Sequence, residues 1–582
     1  VAVILLLAAL PADLLALEIL PFSELEVGMD GVGRTIFRGD RIDEFRVEIV
    51  ALLEDIQPRR NLILVRCRGG AFERTGVAQG MSGSPIYVNG KLVGALAYSW
   101  GFSQEAIAGV TPIEEMLAIP EEERPREEGT AAVPLRLPPG PEAVAAFLDS
   151  LGQRPRDLGL ARPLALPVYS SGFPEAVLSR LGSAMGTDLI PTGGTAAGDG
   201  EAGTAAPLQA GSALGVQLVR GDLELTAIGT VTAVDGSSVL AFGHPFLNMG
   251  PTAMPMTGAR VHLIVPSLDS SFKIASPTVE LGTVQEDRAV GLRGTLGPTA
   301  AMVPVRIELA KEEGSRRFDF DLVDDPLLTP LLLNYAVLSV VMSEERSFGP
   351  LTLQAREGSR IRVEDHEPVR LDNFYSGDFA APFAAGLPAY LLYVLMNNDY
   401  VTPRIEGIDL LFDLVPERRS ARIAEVWADR ERVRAGEEVR LHVTVRPFRE
   451  DPTQATIQLA IPPETPTGRL VVRVADGLTL GRLETEGEPG GYVPRDLDQL
   501  IWLMNQIRSF NRVYANVAVL DEGLIVGGMA LPNLPPSVAQ VLQMPQAGGN
   551  FLRRAQRALL EESTVTPFAV SGYRKLFLEV VP

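Results

Sequence analysis

The chain has 582 residues and a mass of 62.6 kDa, and its 52 Lys and Arg against 73 Asp and Glu leave a net charge of −21. At roughly 150 residues per domain the length corresponds to about four domains. So acidic a chain argues against nucleic-acid binding, which needs a basic surface to displace counterions, and against coating an anionic membrane. Apolar residues at 46% and charged residues at 21% are ordinary for a folded globular chain, and the lone cysteine, Cys67, rules out intrachain disulfides and cysteine-built metal clusters.

Val1 to Leu10 (VAVILLLAAL) is an unbroken apolar run, followed by Pro11-Ala12 and Asp13. It is too short to span a bilayer and has the length of a signal-peptide core, with Pro-Ala as a tolerable processing site. The run has neither an initiating Met nor a basic flank before it, and the expectation is a chain lacking its first residues. No other run reaches the ~18 apolar residues of a membrane helix. Export without disulfides favours a bacterial envelope, periplasmic or extracellular, over an animal secretory route.

From Glu18 to about Ile119 the pattern is strands and turns. Phe45 to Val50 alternates, Leu62 to Val65 reads as a buried strand, and Ile86-Tyr87-Val88, Asn89-Gly90 and Leu92 to Leu96 form a hairpin with a two-residue turn. Pro120 to Gly129 (PEEERPREEG) is a charged, proline-broken linker, a helix is predicted around Pro141 to Leu151, and the Gly- and Ala-rich Pro191 to Gly211 reads as a flexible loop. A second β-rich block runs from Val216 to about Val323, with Asp235-Gly236 turning into Val239 to Phe242. Ala380 to Met396 reads as a helix despite Pro382 and Pro388. Short strands between Arg422 and Ala475 have β-sandwich spacing, and Asp496 to Ile507 is an amphipathic helix with an acidic first turn.

The sharpest chemical signal is Gly80-Met81-Ser82-Gly83-Ser84-Pro85. A serine between glycines, at a tight turn before a strand, can expose its hydroxyl while backbone N–H groups point at a developing oxyanion. Taken alone, the same hexapeptide also reads as a plain glycine-serine turn. A nucleophilic serine needs a base. Of the four histidines, His244 stands at a strand end in Ala241-Phe242-Gly243-His244-Pro245, where scaffolds hold functional groups. His262 and His442 lie in strand-like runs and His366 in a charged run, so all three read as structural. No His-Glu-x-x-His helix and no P-loop is present, and no metal or organic cofactor is implied.

Phe72 to Ala95 (FERTGVAQGMSGSPIYVNGKLVGA) resembles the nucleophile segment of the SpoIVB-type sporulation serine peptidases, and Ala108 to Met116 resembles the end of the same family domain. Ile228 to Thr232 and Phe242-Gly243-His244 resemble the segment that carries the family's histidine, and Gly282 to Asp287 continues that half. The resemblance covers residues 28 to 117 and 216 to 300 and implies a trypsin-like double β-barrel with Ser82 as nucleophile and His244 as base. Two departures stand out. The family places its histidine half first, whereas Ser82 here precedes His244 by 162 residues, an order that is acceptable because a triad is defined by geometry. The family's acid lies shortly before the nucleophile, but Val65 to Gly70 holds no carboxylate. Asp287, 43 residues after His244, is the leading candidate to orient the imidazole; Asp235 and Asp30 are weaker, each standing in an Asp-Gly turn.

The expected fold class is therefore mainly β: a trypsin-like double β-barrel peptidase domain built from two separated segments, with a β-sandwich module and a small mixed C-terminal region. The expected divisions are a signal-peptide-like segment (1–16), a serine-bearing half (17–119), a linker and insert (120–215), a histidine-bearing half (216–325), a mixed α/β segment (326–420), an Ig- or fibronectin-like sandwich (421–480) and an appendage (481–582). The expected function is an exported serine endopeptidase using Ser82, His244 and Asp287, with the N–H groups of Gly80 and Ser82 as oxyanion hole. Its partner is a protein or peptide substrate, with a further protein partner on the sandwich. The alternatives are a catalytically degenerate peptidase fold kept as an envelope binding or scaffold protein, and a structural adhesion-type protein whose serine turn is incidental.

Overall fold

The computed structural model describes residues 17–582 except 70–71, 102, 122–139, 141, 143, 145, 148–161, 165, 187–188, 192–206, 345–348, 488–493, 527–528, 532–536 and 539–550. The apolar run Val1 to Leu10, nearly all of the linker Pro120 to Gly129 and most of the Pro191 to Gly211 stretch lie outside the described residues.

The first unit is a closed barrel of six strands: β1 (Asp30–Ile36), β2 (Ile42–Gln57), β3 (Arg60–Arg68), β4 (Pro85–Val88), β5 (Lys91–Ser99) and β6 (Ile107–Pro112). They pair in the order β4-β1-β2-β3-β6-β5, and the β4–β5 pairing closes the ring. Alternation along β2 and β3 sends Phe45, Val47, Ile49, Ile63 and Val65 inward to a core that Met81, Ile86 and Leu96 complete. The expected hairpin joins β4 and β5, and Asn89 and Gly90 both take positive φ (52° and 80°), the conformation a two-residue primed turn demands.

A short crossing segment, β7 (Arg162–Pro163) and β8 (Leu166–Ser171), leaves the edge of β5 and enters the second unit beside a strand we number β11; β9 (Leu189–Pro191) pairs in parallel with β8. The second unit comprises β10 (Ala213–Gly221), β11 (Glu224–Asp235), β12 (Ser238–Ala241), β13 (Gly250–Val265), β14 (Phe272–Arg288) and β15 (Gly291–Leu296). Their order, β10-β13-β14-β15-β12-β11, is closed by the β10–β11 pairing, giving a second six-stranded ring. Two barrels are thus present, each made from one stretch of chain. Two apolar clusters span their interface: Leu92, Ala95, Ile113 and Met116 with Ala233 and Leu240, and Ile36 with Ile228, Val261 and Ala275.

The remainder departs from the expected divisions. The sheet of the second barrel continues through β16 (Met302–Lys311) and β17 (Gly314–Val323) to a strand at Ile405–Val415, which runs parallel to β16. Helices Leu328–Glu344 and Ala380–Met396, the second as read from the sequence, pack on this extension and share its core. The sandwich does not end near residue 480. Ser420–Ala428 pairs in parallel with Ala569–Ser571, and Gly468–Ala475 lies between Arg512–Val526 and Tyr573–Val581. Val513, Val517, Val570 and Leu578 therefore sit in the same core as Ile423, Leu441 and Leu459. The C-terminal stretch is the other half of the sandwich, which local alternation could not reveal because the partners are separated by about forty to a hundred and fifty residues. The amphipathic helix spans Leu497–Met504, capped by Asp496, whose carboxylate accepts from the Gln499 amide.

Candidate active site

The serine turn sits between Gln79 and β4. Gly80 and Gly83 have φ of +88° and +94°, which L side chains rarely adopt. Gly83 is also fixed by space: a Cβ there would stand 1.9 Å from the Thr230 carbonyl oxygen and 2.5 Å from the Phe242 nitrogen. The Gly83 amide donates to the Leu96 carbonyl, and the Ser84 amide and hydroxyl both donate to the Met81 carbonyl. Met81, fully buried, anchors the turn in the first barrel's core. Among the described residues the amides of Gly80 and Ser82 donate to no group, whereas those of Met81, Gly83 and Ser84 are engaged. These two free amides are the pair expected to face an oxyanion.

The histidine turn follows β12. Phe242 and Gly243 both take positive φ (70° and 71°), a strained conformation for a buried aromatic residue. The Phe242 ring fills the space a Cβ on Gly229 would need, with its nearest atom 2.4 Å from that position. The Thr111 hydroxyl of the first barrel donates to the Gly243 carbonyl at 2.6 Å, and Gly243 packs on Ala95 and Ala97. His244 Nδ1 lies 2.8 Å from the Pro245 carbonyl oxygen. A carbonyl can only accept, so the proton is assigned to Nδ1 and Nε2 becomes the acceptor. Burial pushes the imidazole down to about 4, opposed by the Pro245 contact, so it is neutral near pH 7, the form a general base requires.

The two turns meet across the barrel interface. From β11 the Thr230 amide donates to the Ser82 carbonyl (2.8 Å), the Thr230 hydroxyl to the Gly80 carbonyl (3.0 Å) and the Thr232 hydroxyl to the Gly83 carbonyl (2.9 Å). β11 in turn pairs with β12, which leads into the histidine turn. Ser82 is 0% and His244 1% exposed, and both Ser82 Oγ and His244 Nε2 are buried without a hydrogen-bond partner. The structure brings the two segments into one interface but makes no hydrogen bond between hydroxyl and imidazole.

Asp287 does not take the expected place beside the ring. Its Oδ1 accepts from the Phe246 amide at 2.9 Å, and its Oδ2 from the amides of Leu247 (2.7 Å) and Met249 (3.3 Å). The carboxylate, fully buried and pushed up to about 6 by desolvation against these amides, ties down the loop that follows His244. The hydrogen bond to Nδ1 expected from Asp287 is instead supplied by the Pro245 carbonyl, because that oxygen is one residue away while the carboxylate is engaged by the loop's own backbone. Asp30 and Asp235 are exposed. Cys67, in the stretch where the family's acid belongs, is a buried thiol pushed up to about 12 and therefore neutral. The other histidines lie elsewhere: His262 contacts Ser276, His366 contacts Asp498, and His442 stacks on Trp427.

Sequence reasoning missed the threonines of β11, Pro167 of β8 and Lys273 of β14. Pro167 lies 2.9 Å from where a Gly80 Cβ would be, and Lys273 is completely buried. None left a local signal: Phe272 and Ile274 alternate with Lys273 in a pattern that reads the lysine as outward, yet Lys273 and Ala275 are the buried pair. Among the described residues no group of three or more His, Cys, Asp and Glu is placed to hold a metal ion, and no helix is long and apolar enough to cross a membrane.

A family model described as SpoIVB peptidase S55 matches residues 17–117, the segment that forms the first barrel and carries the serine turn. No curated protein and no solved structure matches the chain.

Proposed function

We propose, from a first barrel of the SpoIVB peptidase type, that the protein is an exported serine endopeptidase acting through Ser82 and His244. Ser82 Oγ attacks the peptide carbonyl while its proton passes to His244 Nε2. The tetrahedral oxyanion is held by the Gly80 and Ser82 amides. The C–N bond then breaks, the leaving amine takes the proton from Nε2, and water releases the acyl group by the reverse relay. Asp287 contributes by fixing the loop behind His244, and the sandwich presents a protein-binding face. The observation that carries this reading is the pair of unpartnered buried atoms, Ser82 Oγ and His244 Nε2, on two segments clamped together by Thr230, Thr232 and Thr111. Apo hydrogen bonds of this kind are often open and tighten only around substrate.

The second reading, a degenerate peptidase fold that binds without cleaving, is favoured by the burial of both side chains and by an imidazole with no carboxylate on it. An imidazole deprived of its acid can lose ~10⁴ in rate. Fluorophosphonate labelling of the purified chain separates the two. A peptidase labels as wild type and loses the label in both Ser82→Ala and His244→Ala. A binding protein shows no label in wild type, or a label that neither substitution changes. Export is checked by fractionating the expressing cell, where retention in the cytoplasm contradicts it.

A further inference from the structure

One buried charge in the barrel interface has no role in the relay above. Lys273, on β14, is 0% exposed, and its ammonium makes a single hydrogen bond, 2.9 Å to Thr35 Oγ1. No carboxylate pairs with it among the described residues, and desolvation alone brings it down to about 7. An isolated buried ammonium is costly, so a chain that keeps one at a core position carries a charge there that packing does not require.

Its placement is specific. The Lys273 amide donates to the Gln79 carbonyl at 3.0 Å, and its Cβ and Cδ lie 3.3 Å from where a Gly80 Cβ would stand, so the stem runs along the serine turn. The head stops at Thr35. Thr35 lies on β1, the strand that pairs with β4, which follows the serine turn, as Gly31 with Val88, Val32 with Tyr87 and Gly33 with Ile86. The side chain therefore runs from Gly80 of the serine turn to Thr35 of β1. The neighbouring elements supply no counter-charge. The serine turn has no titratable side chain, and β13 opposes Lys273 with Ile264. Arg34 of β1 pairs with Glu44, Asp43 across from Thr35 pairs with Arg41, His262 of β13 contacts Ser276, and Tyr169 of β8 lies in the field of Glu224.

We propose that Lys273 is a positioning residue of the peptidase site, whose unpaired positive charge beneath the serine turn favours the anionic tetrahedral intermediate formed at Ser82. The inference rests on the Ser82–His244 reading. A field of this kind acts through the low-dielectric interface without touching substrate and is strongest where no carboxylate cancels it.

The test is the rate of fluorophosphonate labelling against pH for the full chain, wild type beside Lys273→Met, Lys273→Arg and Ser82→Ala, with a melting temperature for each. Lys273→Met is expected to melt higher than wild type, because a near-isosteric apolar chain replaces a buried charge. It should nevertheless label roughly ten-fold or more slowly below about pH 7 and lose the alkaline limb that wild type shows there. Lys273→Arg, if folded by its melting curve, restores the rate and moves that limb to higher pH. A Lys273→Met protein that labels at the wild-type rate with the wild-type profile overturns the proposal. So does one that is dead at every pH while His244→Ala still labels, since Lys273 would then be the base itself. Wild type that fails to label at all overturns the peptidase reading together with this one, and is told apart by Ser82→Ala being indistinguishable from it.

Discussion

At the serine turn both left-handed positions are glycine, Gly80 and Gly83, whereas at the histidine turn one of the two, Phe242, carries a full aromatic side chain at φ 70°. The amides of Met81, Gly83 and Ser84 bond within their own barrel, a few positions away or across one hairpin, and the second barrel adds Thr230 and Thr232 on the carbonyls of Gly80, Ser82 and Gly83. The histidine turn and the loop after it depend on side chains remote in the chain, Thr111 of the other barrel on Gly243 and Asp287 of the same barrel on the amides of Phe246, Leu247 and Met249. A turn whose conformation its own residues permit can be recognised from a short motif. A turn whose conformation is imposed by distant partners carries strain, and strain persists only where the surrounding structure over-determines it.

The largest break in this symmetry is expected from Gly83→Ala. A Cβ 1.9 Å from a backbone oxygen, at a φ hostile to L residues, forces the barrels apart, and a loss of about 4 kcal/mol or more is expected in urea unfolding, with loss of labelling. Stability within about 1 kcal/mol of wild type would show that the barrel interface is looser than described. Next is Asp287→Ala, which leaves the Phe246 and Leu247 amides buried and unpaired, takes the partner of the half-buried Met249 amide, and should cost about 3 kcal/mol. Because the carboxylate acts on the backbone, Asp287→Ala should raise hydrogen exchange at 246–249 while leaving the serine turn protected. Equal loosening of both turns would erase the distinction between them.

The smallest expected effect is in pH, because the two buried groups of the histidine side oppose each other. His244 has its folded value lowered to about 4 from 6.5, so the unfolded chain binds more protons between those values and stability rises with pH. Asp287 is raised to about 6 from 3.8, so the native state binds more protons and stability falls across that window. From about pH 4 to 6 the two slopes cancel in part. His244→Ala should tilt the stability curve downward with rising pH relative to wild type and Asp287→Asn upward; matching tilts in both variants would mean that one of the two groups is not buried as described.

Much of this molecule is readable without coordinates. Alternation along β2, the apolar run of β3, the Asn89-Gly90 turn and the Gly-Met-Ser-Gly-Ser-Pro run make the strands, the hairpin and the serine turn legible because each depends on neighbours in the chain. His244 was legible only as a strand-end residue beside a resemblance, and Asp287 was found for the wrong contact: its spacing drew attention, but which atoms a carboxylate meets is set by the fold.

Composition, alternation and turn chemistry by themselves determined a mainly β chain, the hairpin that carries the serine turn and the two residue types a peptidase relay needs. Tertiary structure alone decided that two closed barrels press those residues into one interface, that Asp287 grips backbone rather than imidazole, that the C-terminal strands complete the sandwich, and that Lys273 lies uncompensated beside the serine turn. The reason is range: periodicity and φ preference act between residues a few positions apart, whereas burial, desolvation and charge pairing depend on which distant strands come into contact.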